Sequence, residues 1–437
     1  MTESLETKND RAWKKLFEKY HILDRISSDG FFIISAAEIR EFREPRLMAK
    51  FDHSINLPDI FSSHNLSILP LARGKYIIAP MDAYHQFEDA DHNVSHFSFP
   101  QNIQSIDPYN IFSEIIAINC ALLSGILYDF LGEDELHPTV SGRMGSHAFS
   151  FFISTKGKEI QVRVDKSQIE IDAAFEGIEF LALFEAKCDL SKDFLIRQLY
   201  YPFRLWNEKI SKKIRPIFLI YSNSIFSLYE YKFEDPENYN SLRLVKQKNY
   251  SIEDTEIEIT DIQNICNTIR TIPEPDLPFP QANDFKRIIN LCELLSHQES
   301  LTCDDVTQKY AFDVRQTNYY TDAARYLGLL EKISVQGKSR YNLTMDGQRI
   351  LKLRYRERQL EFARCILSHP VFLKTMQLSL EMGELLAESA VVEIMKASPL
   401  YKIDSDTTYC RRASTVRGWI NWILGLMGES LSSAGEK

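Results

Sequence analysis

The chain has 437 residues, 44% of them hydrophobic and 26% charged, which excludes a disordered chain and is too long for one core. At roughly 100–200 residues per domain it predicts about two to four domains. A formal net charge of −10 excludes a general attraction to phosphates, so any nucleic-acid binding has to come from local basic clusters.

The N-terminus, MTESLETKNDRAWKK, is polar and lacks the apolar run of a secretory signal. Residues 1–105 mix short signals and form an expected α/β domain that carries no chemical motif. FFIISAAEIREFREPRLMAKF (31–51) reads as a strand and then a helix broken by Pro45, and GKYIIAPMDAY (74–84) as a strand stopped at Pro80. The greasiest long run, IFSEIIAINCALLSGILYDFL (111–131), carries Glu114, Asn119 and Asp129. An Asp at the middle of a membrane span costs about 2.5–3.5 kcal/mol, so this run is expected to be one buried helix and no membrane partner is expected. The seven cysteines are scattered singly with no C-x-x-C pair, which fits a reducing cytoplasm and argues against zinc ribbons and disulfides.

From 106 to 250 the chain alternates regularly. Strand-like runs HAFSFFIST (147–155), QVRVD (161–165), QIEIDAAF (168–175) and EFLALFEAK (179–187) precede a helical DFLIRQLYYPFRLW (193–206). The strands PIFLIYS (216–222) and IFSLYEYKF (225–233) follow. Helix, three strands, helix, strand is an α/β order with a mixed sheet at its centre. A linker is expected at 251–283, where TIPEPDLPFPQAND (271–284) holds four prolines.

The segment 284–350 reads as three helices and a ribbon: DFKRIINLCELLS (284–296), LTCDDVTQKYAF (301–312) with Thr302 as N-cap, VRQTNYYTDAARYLGLL (314–330), and EKISVQGKSRYNLT (331–344) folded about Gly337. That order predicts a winged helix. Residues 351–437 are helical in pattern and end in TTYCRRASTVRGWINWILGLM.

One place carries chemistry. On a strand, residues two apart share a face, so 179–187 puts Phe180, Ala182, Phe184 and Ala186 toward a core and Leu181, Leu183, Glu185 and Lys187 on the other side. With Gly177 in a hairpin turn, Asp172 comes opposite or diagonal to Glu185, at one sheet edge. Two nearby carboxylates repel unless a proton or cation lies between them, and hard oxygen ligands with open water positions suit Mg²⁺. A lysine two residues along can hydrogen-bond an attacking water or a scissile phosphate, which is what metal-assisted phosphodiester hydrolysis needs. Taken alone, E-x-K is common on solvated strands.

GRMGSHAFSF, QIEIDAAFE, FEAK, DFLIRQLYYPFRLW and YSNSIFSLYEYKF resemble the PD-(D/E)XK nuclease superfamily, and within it bacterial type II restriction endonucleases with a C-terminal winged helix. The resemblance is densest over 110–250. It implies an αβββαβ core with Asp172 and Glu185 as metal ligands, Lys187 positioning the water, Gln198 as an auxiliary polar residue and Glu114 as an extra acid. Ile171 stands where the motif has proline, a position that varies in the superfamily. Glu170 shares the face of Asp172 and is an alternative ligand. Gln198, with Arg197 and Tyr201, reads equally as a helix face packed over the sheet. Ser141, Arg143 and Ser146, in the loop SGRMGS, either hold a phosphate or simply connect.

For DNA contact, the expected recognition helix offers Arg315, Gln316, Asn318 and Tyr319 to bases, and the wing offers Lys338 and Arg340 to phosphates. Arg411, Arg412 and Arg417 form a second basic helix start ahead of the core residues Trp419 and Trp422, and RYRER (354–358) reads as a solvated face. The implied activity is Mg²⁺-dependent, site-specific cleavage of double-stranded DNA by a homodimer, alongside a DNA methyltransferase of the same specificity. A repair or transposon-end nuclease and a non-catalytic winged-helix regulator are the other readings.

Overall fold

The computed structural model describes residues 6–427 except 89–92, 156–157, 299, 311, 336, 402 and 404. Two compact units emerge, one formed by Met1–Asp91, Ser113–Tyr221 and Phe226–Asn249, the other by His92–Phe112, Ser222–Ile225 and Tyr250–Lys437. The protein is thus mixed α/β, with a mixed central sheet and a helical C-terminal region.

The first unit opens with the helix Lys8–Tyr20, capped by Thr7 and Asp10 in a reciprocal box and burying Trp13, Leu16 and Phe17 at helical spacing. Trp13 meets Phe61 edge-on at 4.8 Å and donates its indole N–H to the Met48 carbonyl at 3.0 Å. Phe32–Ser35, Lys75–Ala79 and Ser67–Ala72 form a small antiparallel sheet with Lys75–Ala79 in its middle. Pro45 does not merely break a helix, since it begins a new one, Pro45–Met48, where its missing N–H is no loss.

The central sheet runs, within this unit, in the strand order Leu242–Ser251, Ile225–Phe233, Lys213–Ser222, Phe180–Lys187, Ala173–Glu176, His137–Pro138. Phe180–Lys187 pairs antiparallel with Ala173–Glu176 and parallel with Lys213–Ser222, the latter through the crossover helix Arg197–Lys209. The strand is therefore interior. Both of its faces are buried from Phe180 to Ala186, and the expected sheet edge is instead the C-terminal end of a central strand.

Four other expectations change. The run 111–131 is two helices, Glu114–Leu123 and Ile126–Leu131, because Gly125 takes φ +91° between them. The run 168–175 breaks at Asp172: Gln168–Ile171 pairs with Gly142–Gly145 in another sheet, so SGRMGS contributes a strand and is not a plain loop. The helical pattern of 193–206 starts late, because Asp193–Leu195 pairs as a strand with Tyr84–Gln86. Tertiary hydrogen bonding there outweighs local periodicity. The same pairing, with the Leu195 amide donating to Asp52 O at 2.9 Å, ties the N-terminal segment to the compact unit that holds the central strand.

In the second unit the expected linker contains the helix Ile259–Thr268, and its proline-rich remainder packs as an extended strap that buries Phe279 and Ala282. Helices Phe285–Ser296, Cys303–Lys309 and Val314–Tyr326 are N-capped by Asp284, Thr302 and Asp313. Strands Leu330–Val335 and Lys338–Leu343 turn at Gly337, φ +74°, and Leu301–Thr302 adds a third strand. Tyr355–Leu367, Pro370–Met382, Glu388–Lys396 and Asp406–Gly425 complete the unit around Trp419 and Trp422. Among the described residues no helix is long and apolar enough to cross a membrane.

Trp419 donates to the Ala282 carbonyl at 2.7 Å, and a Cβ at neighbouring Gly418 would lie 2.3 Å from the Asn283 carbonyl oxygen. Gly418→Ala gains about 1 kcal/mol of helix propensity but must push the strap away, at roughly 1–3 kcal/mol for overpacking. Denaturant unfolding of the second unit is expected to show net destabilisation, and a stabilised variant would mean that the strap is not held against this helix.

Candidate functional site

The site begins with a tight turn. The Gly177 amide donates to Phe180 O at 3.0 Å, and a Cβ on Gly177 would stand 2.8 Å from the Phe180 ring, so glycine lets the two strands close. The register places Ala173 opposite Phe184, which brings Asp172 beside Glu185. Asp172 donates its own amide to Phe184 O at 3.2 Å and accepts the Ala186 amide on Oδ2 at 2.8 Å. Its carboxylate is thus clamped to the backbone between Glu185 and Lys187.

Glu185 is only 8% exposed. Its Oε1 accepts from the Lys187 ammonium and from Gln198 Nε2 at 2.6 Å. Burial pushes the Glu185 carboxyl up to about 7 against the pull of Lys187, and the charge of Asp172 adds to the rise. Burial alone would lower Lys187, but the surrounding carboxylates of Glu185, Asp52 and Asp172 carry it above the ordinary lysine range. Lys187 therefore keeps its proton, and one ammonium faces several carboxylates.

Asp172, Glu185, Lys187 and Gln198 are brought together. Glu114 lies half-buried in the first turn of its helix and, among the described residues, makes none of these hydrogen bonds. Glu170 is exposed and pairs with Arg143 at 3.0 Å. Ser146 is buried and exchanges hydrogen bonds with Ser167, a staple between strands and not an open anion loop. Arg197 donates to Gln168 O at 2.9 Å and lies over the Tyr201 ring, so that part of the helix face packs as the alternative reading expected.

The sequence reading missed a tract from the N-terminal segment. Asp52 acts electrostatically on both Glu185 and Lys187, and its Oδ1 is buried with no hydrogen-bond partner among the described residues, as is Gln198 Oε1. Next to it, buried His53 places Nδ1 2.6 Å from Asp193 O and Nε2 3.3 Å from Asp189 Oδ2. The only sequence signal is the pair Asp52-His53 inside KFDHS, which has no periodic context to distinguish it.

Asp172 and Glu185 are hard oxygen donors, the ligand type that a divalent cation such as Mg²⁺ takes. Among the described residues no group of three or more His, Cys, Asp or Glu forms a ready metal cage. Mg²⁺ does not require one, because it commonly sits on one or two carboxylates and completes its shell with water and substrate phosphate.

The expected DNA-binding residues divide by what they already hold. Arg315 and Tyr319 are exposed on Val314–Tyr326, with Gln316 and Asn318 half-buried beside them. Lys338 is exposed at the ribbon turn, whereas Arg340 donates to Ser300 Oγ at 2.8 Å and braces the ribbon. Arg411 is exposed. Arg412 is half-buried and lowered by burial and by Arg411, and Arg417 donates to Leu386 O at 3.0 Å as an internal brace.

Three family profiles match the chain, each described as a domain of unknown function: DUF6996 over residues 10–78, DUF6997 over 79–251 and DUF7226 over 287–428. No curated protein and no solved structure matches it.

The raised Glu185 carboxyl has a stability consequence. Between pH 4.5 and about 7 the folded chain keeps a proton that the unfolded chain has released, so this group's stabilisation is complete below 4.5 and lost as pH rises through 7. Wild type is expected to lose up to about 3 kcal/mol over that window relative to Glu185→Gln. Parallel pH–stability curves from denaturant unfolding would show that the Glu185 carboxyl titrates alike in the folded and unfolded chain, with no upward shift.

Proposed function

We propose that the chain is a Mg²⁺-dependent DNA endonuclease of the PD-(D/E)XK type, and specifically a type II restriction endonuclease. The observation that carries this reading is the register that sets Asp172 beside Glu185 at the end of an interior strand, with Lys187 and Gln198 both bonded to Glu185. Asp172 and Glu185 would hold Mg²⁺, which when bound stabilises charge on a phosphodiester and acidifies a coordinated water.

The protein groups have separable tasks. Lys187 retains its proton, so it acts as a donor that orients the attacking water or a phosphate oxygen, not as a base. Gln198 Nε2 carries a second N–H beside the one it gives to Glu185, and that donor can turn toward the same phosphate. The burial of Glu185 and Ala186 limits solvent on the strand side of the site. In the reaction the water oxygen bonds to phosphorus, the bond to the leaving deoxyribose oxygen breaks, and that oxygen takes a proton from water while the nucleophile releases one to solvent.

Sequence selection falls to the second unit in this reading. Val314–Tyr326 serves as the recognition helix of a winged helix and presents Arg315, Gln316, Asn318 and Tyr319, while Lys338 at the wing and Arg411 and Arg412 meet phosphates. Cutting both strands calls for a homodimer or two successive nicks. A cytoplasmic enzyme of this kind is harmless to its own host only beside a methyltransferase of the same specificity.

Incubation with unmethylated phage DNA tests the activity. Discrete fragments are expected with Mg²⁺ and none without, and Asp172→Ala or Lys187→Ala should cut on the order of 10²–10⁴-fold more slowly. Intact DNA under every condition, with the protein folded and DNA-bound, would leave a non-catalytic DNA-binding protein.

Arg315→Ala is expected to weaken binding to the cleaved site by about 1–3 kcal/mol and relax one base position, while Lys338→Ala lowers the salt slope by about one. Arg417→Ala should change stability and not affinity, given its bond to Leu386 O. Gel-shift titrations across salt concentrations separate these outcomes, and equal effects for all three would remove the second unit from base recognition.

A further inference from the structure

Lys187 and Gln198 are separated by a segment that is neither helix nor part of the central sheet, yet both must reach the same oxygen of Glu185. What holds that segment comes from the other end of the chain. Asp193–Leu195 pairs with Tyr84–Gln86, the Leu195 amide donates to Asp52 O at 2.9 Å, and the Ile196 amide donates to Ala83 O at 3.0 Å. The Ser54 amide donates to Asp193 Oδ1 at 3.1 Å and its hydroxyl to Oδ2. At the middle sits His53, 5% exposed, with Nδ1 2.6 Å from the Asp193 carbonyl and Nε2 3.3 Å from Asp189 Oδ2.

Both ring nitrogens of His53 face oxygen acceptors, and only a doubly protonated imidazole donates to both. We propose that His53 is a positioning residue of the nuclease centre: as an imidazolium between Asp189 and Asp193 it fixes the 188–197 segment and thereby the spacing of Lys187 and Gln198 about Glu185. The proposal rests on the nuclease reading. It gives the N-terminal segment a task in the chemistry, where the sequence had shown none.

The groups acting on His53 are Asp189 and Asp193 from the segment itself and Asp52 beside it; Lys50 pairs with Asp52 at 3.4 Å and Lys187 acts on Asp189. Burial pulls the His53 pKa down, but Asp189, the Asp193 carbonyl and Asp52 outweigh it and leave it raised. The imidazolium is therefore present at low pH and lost as pH rises through that raised value.

The test uses full-length His53→Asn, which keeps one donor for the Asp193 carbonyl and loses the second donor and the charge, and Asp189→Asn, which removes the facing charge. Hydrogen exchange on DNA-free protein, and Mg²⁺-dependent cleavage across pH, are measured for each. Expected are faster exchange confined to 188–199, unchanged DNA affinity, and kcat lower by about 10–100-fold. The wild-type fall in kcat as His53 deprotonates should be missing from the His53→Asn profile. Unchanged exchange, or unchanged kcat with a wild-type pH profile, would overturn the proposal. If wild type cuts no DNA, the nuclease reading fails and exchange in 188–199 alone decides whether His53 holds the segment. If His53→Asn does not fold, Asp189→Asn decides by the same readouts.

Discussion

The first unit depends on keeping opposite charges at the end of a strand that is otherwise wholly apolar. An ion pair taken out of water loses several kcal/mol of hydration per ion, and attraction restores this only where the remaining hydrogen-bonding capacity is met. Glu185 and Lys187 meet that condition through neighbours: Gln198 donates to the carboxylate, and Asp172 is clamped by the Ala186 amide between the two. The balance is still incomplete. Glu185 is pushed up to about 7, and acceptor oxygens of Asp52 and Gln198 lack donors. An uncompensated polar group is expensive in a core built only for stability.

That requirement explains the architecture around it. An interior strand gives a rigid platform, and the parallel pairing of Phe180–Lys187 with Lys213–Ser222 demands a crossover, which brings the helix bearing Gln198 back over the sheet. The stretch between has no regular hydrogen-bond partner in its own neighbourhood. The N-terminal segment supplies one through Asp52, His53, Ser54 and Tyr84–Gln86. Three family profiles of unknown function cover residues 10–78, 79–251 and 287–428, and at this clamp residues from the first two meet within one compact unit.

In the second unit, charge alone does not identify a binding surface. Arg340 and Arg417 are already committed to Ser300 and to the Leu386 carbonyl, whereas Arg315, Lys338 and Arg411 remain exposed. A guanidinium that braces backbone keeps its charge but has given up part of its donor fork, so it offers less to a base or a phosphate. The proposed DNA contacts therefore concentrate on fewer residues than the basic clusters contain.

By itself, the sequence determined what short-range physics decides. Alternation and the Gly177 turn placed Asp172 beside Glu185 and Lys187, and N-cap chemistry placed a helix after Thr302. Only the tertiary structure decided that the strand is interior, that 168–175 splits at Asp172 between two sheets, and that Asp193–Leu195 pairs as a strand against a helical pattern. It also paired Glu170 with Arg143 and added Asp52 and His53 near the centre. The reason is common to all of these: side-chain periodicity encodes which face of an element is buried, but not which distant backbone will satisfy its amides or which charge will be buried beside it.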